Sequence, residues 1–373
     1  MAKLKVLITG GGTGGHVYPG IVIADEIRRL QPGAEMLFVG TKRGLESKVV
    51  PRQGYGLQFI DVRYFVRSLS LANIVTLYKA VTSIWESRKI IKGFQPDIVV
   101  GTGGYVSGPV VMAATMARIP TLIHEQNAFP GLTTRLLAPR VDKVAVSHAD
   151  AVKRIKSGAR TVVTGHPVRR EFFEPDRGQA RMEMGLAPDN NLILIVGGSG
   201  GAEKVNRIAL DSAEVLLADP ANILLHVTGS RYFQWVSEER QKLSLSPKVA
   251  PRYLLTDYID DIPRVMAASD LIVSRAGGMV HEMTVLGVPA LLIPSPNVTN
   301  EHQLYNARAM AEAGAAIFIE EKNLTAERFT AEIISLLADK ERLQKMTAAS
   351  QKIGKPEAGN RLAKIILQMA SKN

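Results

Sequence analysis

Lys5-Val-Leu-Ile-Thr-Gly-Gly-Gly-Thr-Gly-Gly-His-Val-Tyr-Pro-Gly20 decides the fold. A short β-type run enters a glycine cluster, and a helix-patterned stretch follows, expected from about Pro19 to Leu30 with Pro19 in its first turn. Strand, glycine turn and helix in that order open a βαβ unit. Glycine lets the backbone approach a ligand closely, and the helix start beyond it offers unpaired N–H groups and a positive dipole end. Gly10, Gly12 and Gly15 satisfy G-x-G-x-x-G. A dinucleotide site also needs an acid at the end of the second strand, roughly 20 residues on. That strand ends Phe38-Val-Gly-Thr-Lys42, without one, so the NAD reading loses its best support.

Outward from this stretch, short Val/Ile/Leu runs alternate with longer amphipathic ones. Met36–Val39, Leu57–Ile60, Asp97–Val100, Thr121–Ile123 and Lys143–Val146 read as strands, with a helix near 107–118. Unbroken apolar runs separated by helices mean buried parallel strands in a doubly wound α/β sheet. The pattern pauses at Gly165-His-Pro-Val-Arg-Arg-Glu-Phe-Phe-Glu-Pro175, where two prolines favour an extended connector. It restarts with Leu192–Val196, Ile223–Val227, Tyr253–Leu255, Leu271–Val273, Ala290–Ile293 and Ala316–Ile319, and helices close the chain at about 339–350 and 357–371. Two Rossmann-like domains are expected, 1–164 and 165–340, followed by C-terminal helices over 341–373. A chain of 373 residues holds two to three domains at ~150 residues each.

Three further glycine loops follow strands: Gly101–Gly108, Gly197–Ala202, and Ser274–Gly278 with Glu282 in the next helix. One such loop is usually a tight turn. Four at carboxyl strand ends point to ligand sites, because doubly wound sheets bind ligands there. Loops from two domains facing each other would make a cleft for a phosphorylated ligand and a second substrate.

With 46% hydrophobic and 22% charged residues the chain is globular, and disorder is excluded for most of it. Zero cysteines exclude disulfides, thiolate metal sites and a Cys nucleophile. The net charge of +11 suggests an anionic partner: nucleic acid, an anionic membrane surface or a phosphorylated substrate, unless the charge is merely diffuse. No P-loop, His-Glu-x-x-His or EF-hand pattern occurs, and Asp260-Asp261 reads as a helix start. No signal h-region and no apolar run of ~20 residues is present, so a cytosolic protein, or one on the cytosolic face of a membrane, is expected.

Gly11–Gly20, Gly101–Pro109, His124-Glu-Gln-Asn127, Pro167-Val-Arg169, Gly197–Ala202 and the stretch from Glu282 to His302-Gln-Leu-Tyr-Asn-Ala307 together resemble the MurG family over essentially the whole chain. The resemblance implies a GT-B glycosyltransferase fold, with the last helix crossing back to the N-domain. It implies inverting transfer of N-acetylglucosamine from UDP-GlcNAc to the 4-hydroxyl of MurNAc in lipid I, the undecaprenyl-pyrophosphoryl-MurNAc-pentapeptide, giving lipid II for peptidoglycan. No cofactor and no metal are implied. The implied UDP-GlcNAc residues are Ser199 on a phosphate, Arg169 near the pyrophosphate, Ile259 at uracil, Glu282 on the ribose hydroxyls and Gln303 on the sugar. Gly277 and Gly278 belong to the same site, and Thr13, Gly14, Gly15 and Asn127 close over it. Gly103, Gly104, Tyr105 and His124 are implied at the acceptor. Two positions depart from the family pattern: Gly277 to Glu282 is one residue short, and His166 replaces an Asn.

Attack by the acceptor hydroxyl needs a base. His16 suits that role by its ordinary pKa, or else caps the loop or hydrogen-bonds the acceptor pyrophosphate; Glu125 is its rival as base. Within 61–92, Phe65, Leu69, Leu71, Ile74, Leu77, Tyr78, Ile84 and Trp85 interleave with six bases against Asp61 and Glu86. That mixture reads as an amphipathic surface for an anionic bilayer, or as a helix with one core face. The resemblance favours the first, with the protein peripheral on the cytoplasmic face of the bacterial membrane and other cell-wall synthesis proteins as partners. Competing readings are a UDP-GlcNAc 2-epimerase on the same fold and a basic nucleic-acid-binding protein. The latter shows no aromatic–basic ladder and leaves four glycine loops idle, so no nucleic-acid partner is expected.

Overall fold

The Val/Ile/Leu runs become two all-parallel sheets, with the central strands buried because helices cover both faces. The computed structural model describes residues 3–63, 72–156, 160–198, 200–298 and 301–371; the side chains of 72–78 and Ala80 lie outside that description. Ser199, Phe65, Leu69 and Leu71, and the side chains of Ile74, Leu77 and Tyr78, therefore lie outside the described residues.

The chain forms two units. The first runs to Arg169 and takes in the residues from Lys355 onward; the second is Arg170–Gly354. In the first, β1 (Lys5–Thr9), α1 (Gly14–Leu30), β2 (Glu35–Gly40), α2 (Glu46–Arg52), β3 (Gly56–Phe59), α3 (Ala72–Phe94) and β4 (Ile98–Gly101) are followed by α4 (Gly104–Met116), β5 (Thr121–Glu125), α5 (Leu132–Leu137), β6 (Lys143–Val146), α6 (Ala149–Val152) and β7 (Thr161–Val163). In the second, α7 (Arg177–Glu183), β8 (Asn191–Val196), α8 (Glu203–Leu216), β9 (Asn222–Val227), α9 (Phe233–Gln241), β10 (Tyr253–Thr256) and α10 (Ile262–Ala268) precede β11 (Leu271–Ser274), α11 (Met279–Leu286), β12 (Ala290–Leu292), α12 (His302–Glu312), β13 (Ala316–Phe318), α13 (Ala326–Ala338) and α14 (Lys340–Ile353). The last helix, α15 (Ala358–Ala370), belongs to the first unit, where Leu362, Ala363 and Ile366 are fully buried with Ile21, Ala24 and Ile27 of α1.

Sheet order is β3-β2-β1-β4-β5-β6-β7 in the first unit and β10-β9-β8-β11-β12-β13 in the second. In both, the order reverses beside the unit's central strand, and that switch point is where such sheets bind ligands. Register sets the geometry. Thr9 pairs with Gly101, so the loops after β1 and β4 leave side by side. Val196 pairs with Ser274, which does the same for the loops after β8 and β11.

Two helix starts differ from the sequence expectation: α4 begins at Gly104, not near residue 107. α1 begins at Gly14, inside the glycine cluster, and Pro19 lies within it. Proline tolerates this near a helix start, where the N–H it lacks has little to bond. At the sixth position, though, the missing N–H leaves the carbonyl of Gly15 without its helical partner. Asp261 does start α10, its side chain accepting from Arg264 N at 3.3 Å.

Candidate functional site

In the first unit the ends of β1, β4 and β5 build one constellation. Thr102 N donates to Thr9 O at 2.8 Å, and Thr102 Oγ1 donates to His16 O at 2.7 Å. These bonds draw the two glycine loops together. Gly104 has φ +79°, and a Cβ there would fall 2.4 Å from Gly11 O, so only glycine allows the approach. Tyr105, in the first turn of α4, lies over Gly12. Gln126, the residue after β5, is buried and donates through Nε2 to Gly15 O and Thr102 O, both at 2.8 Å. The same nitrogen lies 2.5 Å from Nδ1 of His16. Thus His16, Gly14, Gly15, Gly103, Gly104 and Tyr105 come together, with Thr13 exposed at the start of α1.

Two expected residues have other work. Both oxygens of Glu125 are engaged: Oε1 accepts from Asn127 N (3.0 Å) and Asn127 Nδ2 (3.1 Å), and Oε2 accepts from Gly131 N (2.9 Å) and Thr134 Oγ1 (2.6 Å). Four donors fill a carboxylate's four lone-pair directions, and Glu125 is only 2% exposed. It organises the loop after β5 and does not face a substrate proton; Asn127 is tied into that loop with it. His124 is 1% exposed, its Nε2 3.3 Å from Gly165 O and 3.2 Å from Ser147 Oγ. Burial pushes its pKa down to about 4, so it is a neutral interior group and not a surface for the acceptor. Arg169, expected near the pyrophosphate, stacks its guanidinium over the Tyr18 ring at 4.7 Å.

Glu46 was not legible as a site residue. It is 1% exposed, and its carboxylate accepts from Gly12 N (2.9 Å), Thr41 N (2.8 Å) and Thr41 Oγ1 (2.8 Å). The acid missing from the end of β2 is supplied from the start of α2, and it holds a loop amide instead of a ribose.

In the second unit a cavity of about 640 Å³ opens at the carboxyl ends of β8 and β11. Gly201, with φ +71°, brings its loop against Thr228 O, where a Cβ would lie 2.1 Å away. Beneath it, Asn206 Nδ2 donates to Thr228 O at 3.0 Å and Asn206 Oδ1 accepts from His226 Nε2 at 3.0 Å, while Tyr253 OH meets His226 Nδ1 at 2.9 Å. The start of α8 brings Lys204 and Arg207 to the cavity. Arg207 pairs with Glu203 at 3.1 Å, and Arg275 pairs with Glu321. Lys204 has no carboxylate partner among the described residues. Gln303 lines the same cavity beside Gly277 and accepts from Ser295 N at 2.9 Å. Glu282 is half-buried in the first turn of α11, directly after Gly277 and Gly278. Ile259 is half-buried between β10 and α10. The amides at the start of α8 and Lys204, which lacks a carboxylate partner among the described residues, suit an anion, and Gln303 in the same cavity suits a polar sugar; Glu282 and Ile259 are not among the residues lining that cavity.

The glycosyltransferase family 28 N-terminal domain matches residues 6–146, and the family 28 C-terminal domain matches 192–362. A protein from Acetivibrio thermocellus described as UDP-N-acetylglucosamine–N-acetylmuramyl-(pentapeptide) pyrophosphoryl-undecaprenol N-acetylglucosamine transferase is 42% identical, over 97% of this chain and 97% of its own. The crystal structure of MurG from Acinetobacter baumannii is 25% identical with a TM-score of 0.77, covering 98% of this chain and 99% of that one. A putative UDP-N-acetylglucosamine 2-epimerase from Listeria monocytogenes reaches a TM-score of 0.73 at 19% identity, covering 100% and 98%, a likeness of fold alone.

Proposed function

The chain belongs to glycosyltransferase family 28, and from that premise we propose that it transfers N-acetylglucosamine from UDP-GlcNAc to the MurNAc 4-hydroxyl of lipid I, giving lipid II. The observation that carries this is the 42% identity with a transferase of that name over 97% of both chains. Within each unit, glycine loops paired at a sheet switch point supply a place for a phosphorylated ligand.

On the donor side, the amides at the start of α8, with Ser199 and Lys204, hold the pyrophosphate. Glu282 accepts from the ribose hydroxyls, Gln303 meets the sugar, and backbone groups at Ile259 meet uracil. Gly277 and Gly278 give close access. The loops at Gly103–Tyr105 and His16 receive the acceptor. As UDP leaves, N–H groups and cations offset the charge that develops on its phosphate. Membrane contact belongs to the same reading: α3 exposes Val81 and Trp85 beside Arg88, Lys89 and Lys92, which suits the peripheral, cytoplasmic-face position of an enzyme with a lipid-linked acceptor.

The test is UDP release. With UDP-GlcNAc and a short-chain lipid I analogue, the protein should release UDP and lengthen the analogue by one sugar. Without the analogue it should release almost none. Conversion of the donor alone to a ManNAc product would make it an epimerase instead.

A further inference from the structure

The chemistry of His16 depends on which ring nitrogen carries its hydrogen, and the surroundings decide that. Pro19 has no N–H, so Gly15 O lacks the partner that α1 would otherwise give it. Gln126 takes that place, donating to Gly15 O and to Thr102 O at 2.8 Å each. Two carbonyls at that distance identify the atom as the amide nitrogen; an oxygen there would leave three buried acceptors facing one another. This nitrogen lies 2.5 Å from His16 Nδ1. The NH₂ group has two hydrogens for three neighbours, so an Nδ1 lone pair can share one of them, whereas a hydrogen on Nδ1 would point at a nitrogen that accepts none. The backbone of Gly103 closes the same side of the ring: a Cβ on Gly103 would lie 2.7 Å from Nδ1. The one hydrogen of a neutral imidazole then belongs on Nε2.

We propose that Gln126 is a positioning residue that locks His16 in the Nε2–H tautomer, so that His16 serves the acceptor substrate as a hydrogen-bond donor and not as its base. The donor role rests on the transferase reading; the tautomer does not. In this arrangement the lone pair on Nδ1 is covered by Gln126 and Gly103, and Nε2 already bears its hydrogen. An attacking hydroxyl finds no site on the ring for its proton, which passes to water as the bond to the sugar forms.

The ring can be read directly. In protein labelled with ¹⁵N-histidine, long-range proton–nitrogen correlations above pH 7 distinguish the tautomers, and His16→Gln identifies the His16 signals by their loss. The expected result is Nε2–H in the parent protein and a mixture of both tautomers in Gln126→Met. A hydrogen on Nδ1 in the parent overturns the proposal whatever the variant does. A second measurement uses UDP-GlcNAc with a short-chain lipid I analogue. His16→Gln keeps an N–H donor but supplies no base, and should stay within about tenfold of parent turnover. His16→Ala should lose about 10²–10³-fold, as when one transition-state donor is removed. Equal losses in the two variants overturn the donor role. Absence of transfer by the parent itself defeats the transferase reading, and the nitrogen spectra still decide the tautomer.

Discussion

Glu46 does for the first glycine loop what a bound phosphate does in a dinucleotide site: it gives a buried anion to the amide of Gly12. The sequence shows no acid at the end of β2, which argues against a ribose contact there. It could not show that an acid six residues further on folds back beneath the loop. Glu46→Ala leaves Gly12 N, Thr41 N and Thr41 Oγ1 without their acceptor. Each buried unsatisfied donor costs about 1–3 kcal/mol. The urea midpoint for the first unit should fall by the equivalent of at least ~2 kcal/mol, with Glu46→Gln, which keeps one oxygen, in between. An unchanged midpoint in Glu46→Ala would mean that water replaces the carboxylate without loss. In the second unit, Glu282→Ala should lower kcat/KM for UDP-GlcNAc at least tenfold, since a hydrogen bond to a charged group contributes about 1.5–3 kcal/mol. Parent-like kinetics from a folded Glu282→Ala would move the ribose contact elsewhere in the shortened loop.

At the scale of elements, strands were easier to read than helix starts. Lys5–Thr9 and Lys143–Val146 match β1 and β6 residue for residue, because a buried parallel strand is a short apolar run with polar residues or glycine at its ends. The edge strand β7 leaves no mark in the sequence: Thr161–Val163 is three residues long and only partly buried, too short for a pattern. α1 and α4 both begin within glycine clusters, earlier than a propensity reading allows, since tertiary contacts at Gly10–Gly15 and Gly103–Gly104 override glycine's dislike of helices. The site was legible as loops and only partly as side chains. His16 and the glycines declare themselves by spacing. Gln126 stands inside a quoted motif, but its role depends on the carbonyls of Gly15 and Thr102, which meet it only in the fold. In α3, Ile84, Ile90 and Phe94 pack on the core while Trp85 is 63% exposed with Arg88 5.4 Å from its ring centroid, so the helix has both a core face and an outward one. Replacing Arg88, Lys89 and Lys92 by Glu should weaken sedimentation with anionic vesicles most at low salt, each base contributing about 1 kcal/mol. Trp85→Ser should weaken it at every salt concentration. Variants that sediment like the parent would place the membrane face on another element. The start of α8 carries a separate prediction: a pyrophosphate held by amides and lysine needs no divalent ion, so turnover should persist in EDTA. Loss of turnover restored by Mg²⁺ would contradict it.

For the whole molecule, two sheets of the same winding place their ligand loops by the same rule, yet each unit keeps its own buried polar centre. In the second unit that centre is His226, fully buried between Asn206 and Tyr253. Burial alone pushes its pKa down to about 3; in the first unit the same cause takes His124 to about 4. The ordinary histidine value is about 6.5, so as pH falls below it the unfolded chain takes up protons that the native fold refuses. Stability is therefore fully present above about pH 6.5 and is lost progressively down to the native values. Each histidine withdraws an amount on the order of 3–5 kcal/mol across that window. The two tryptophans divide between the units, Trp85 in the first and Trp235 in the second, where it packs against the core. Trp85→Phe leaves Trp235 as the reporter of the second unit. Its urea midpoint should drop steadily between pH 6.5 and 4, and His226→Gln, which cannot be protonated, should flatten that slope. A slope unchanged by His226→Gln would assign the acid sensitivity of the second unit to its carboxylates and not to the buried imidazole.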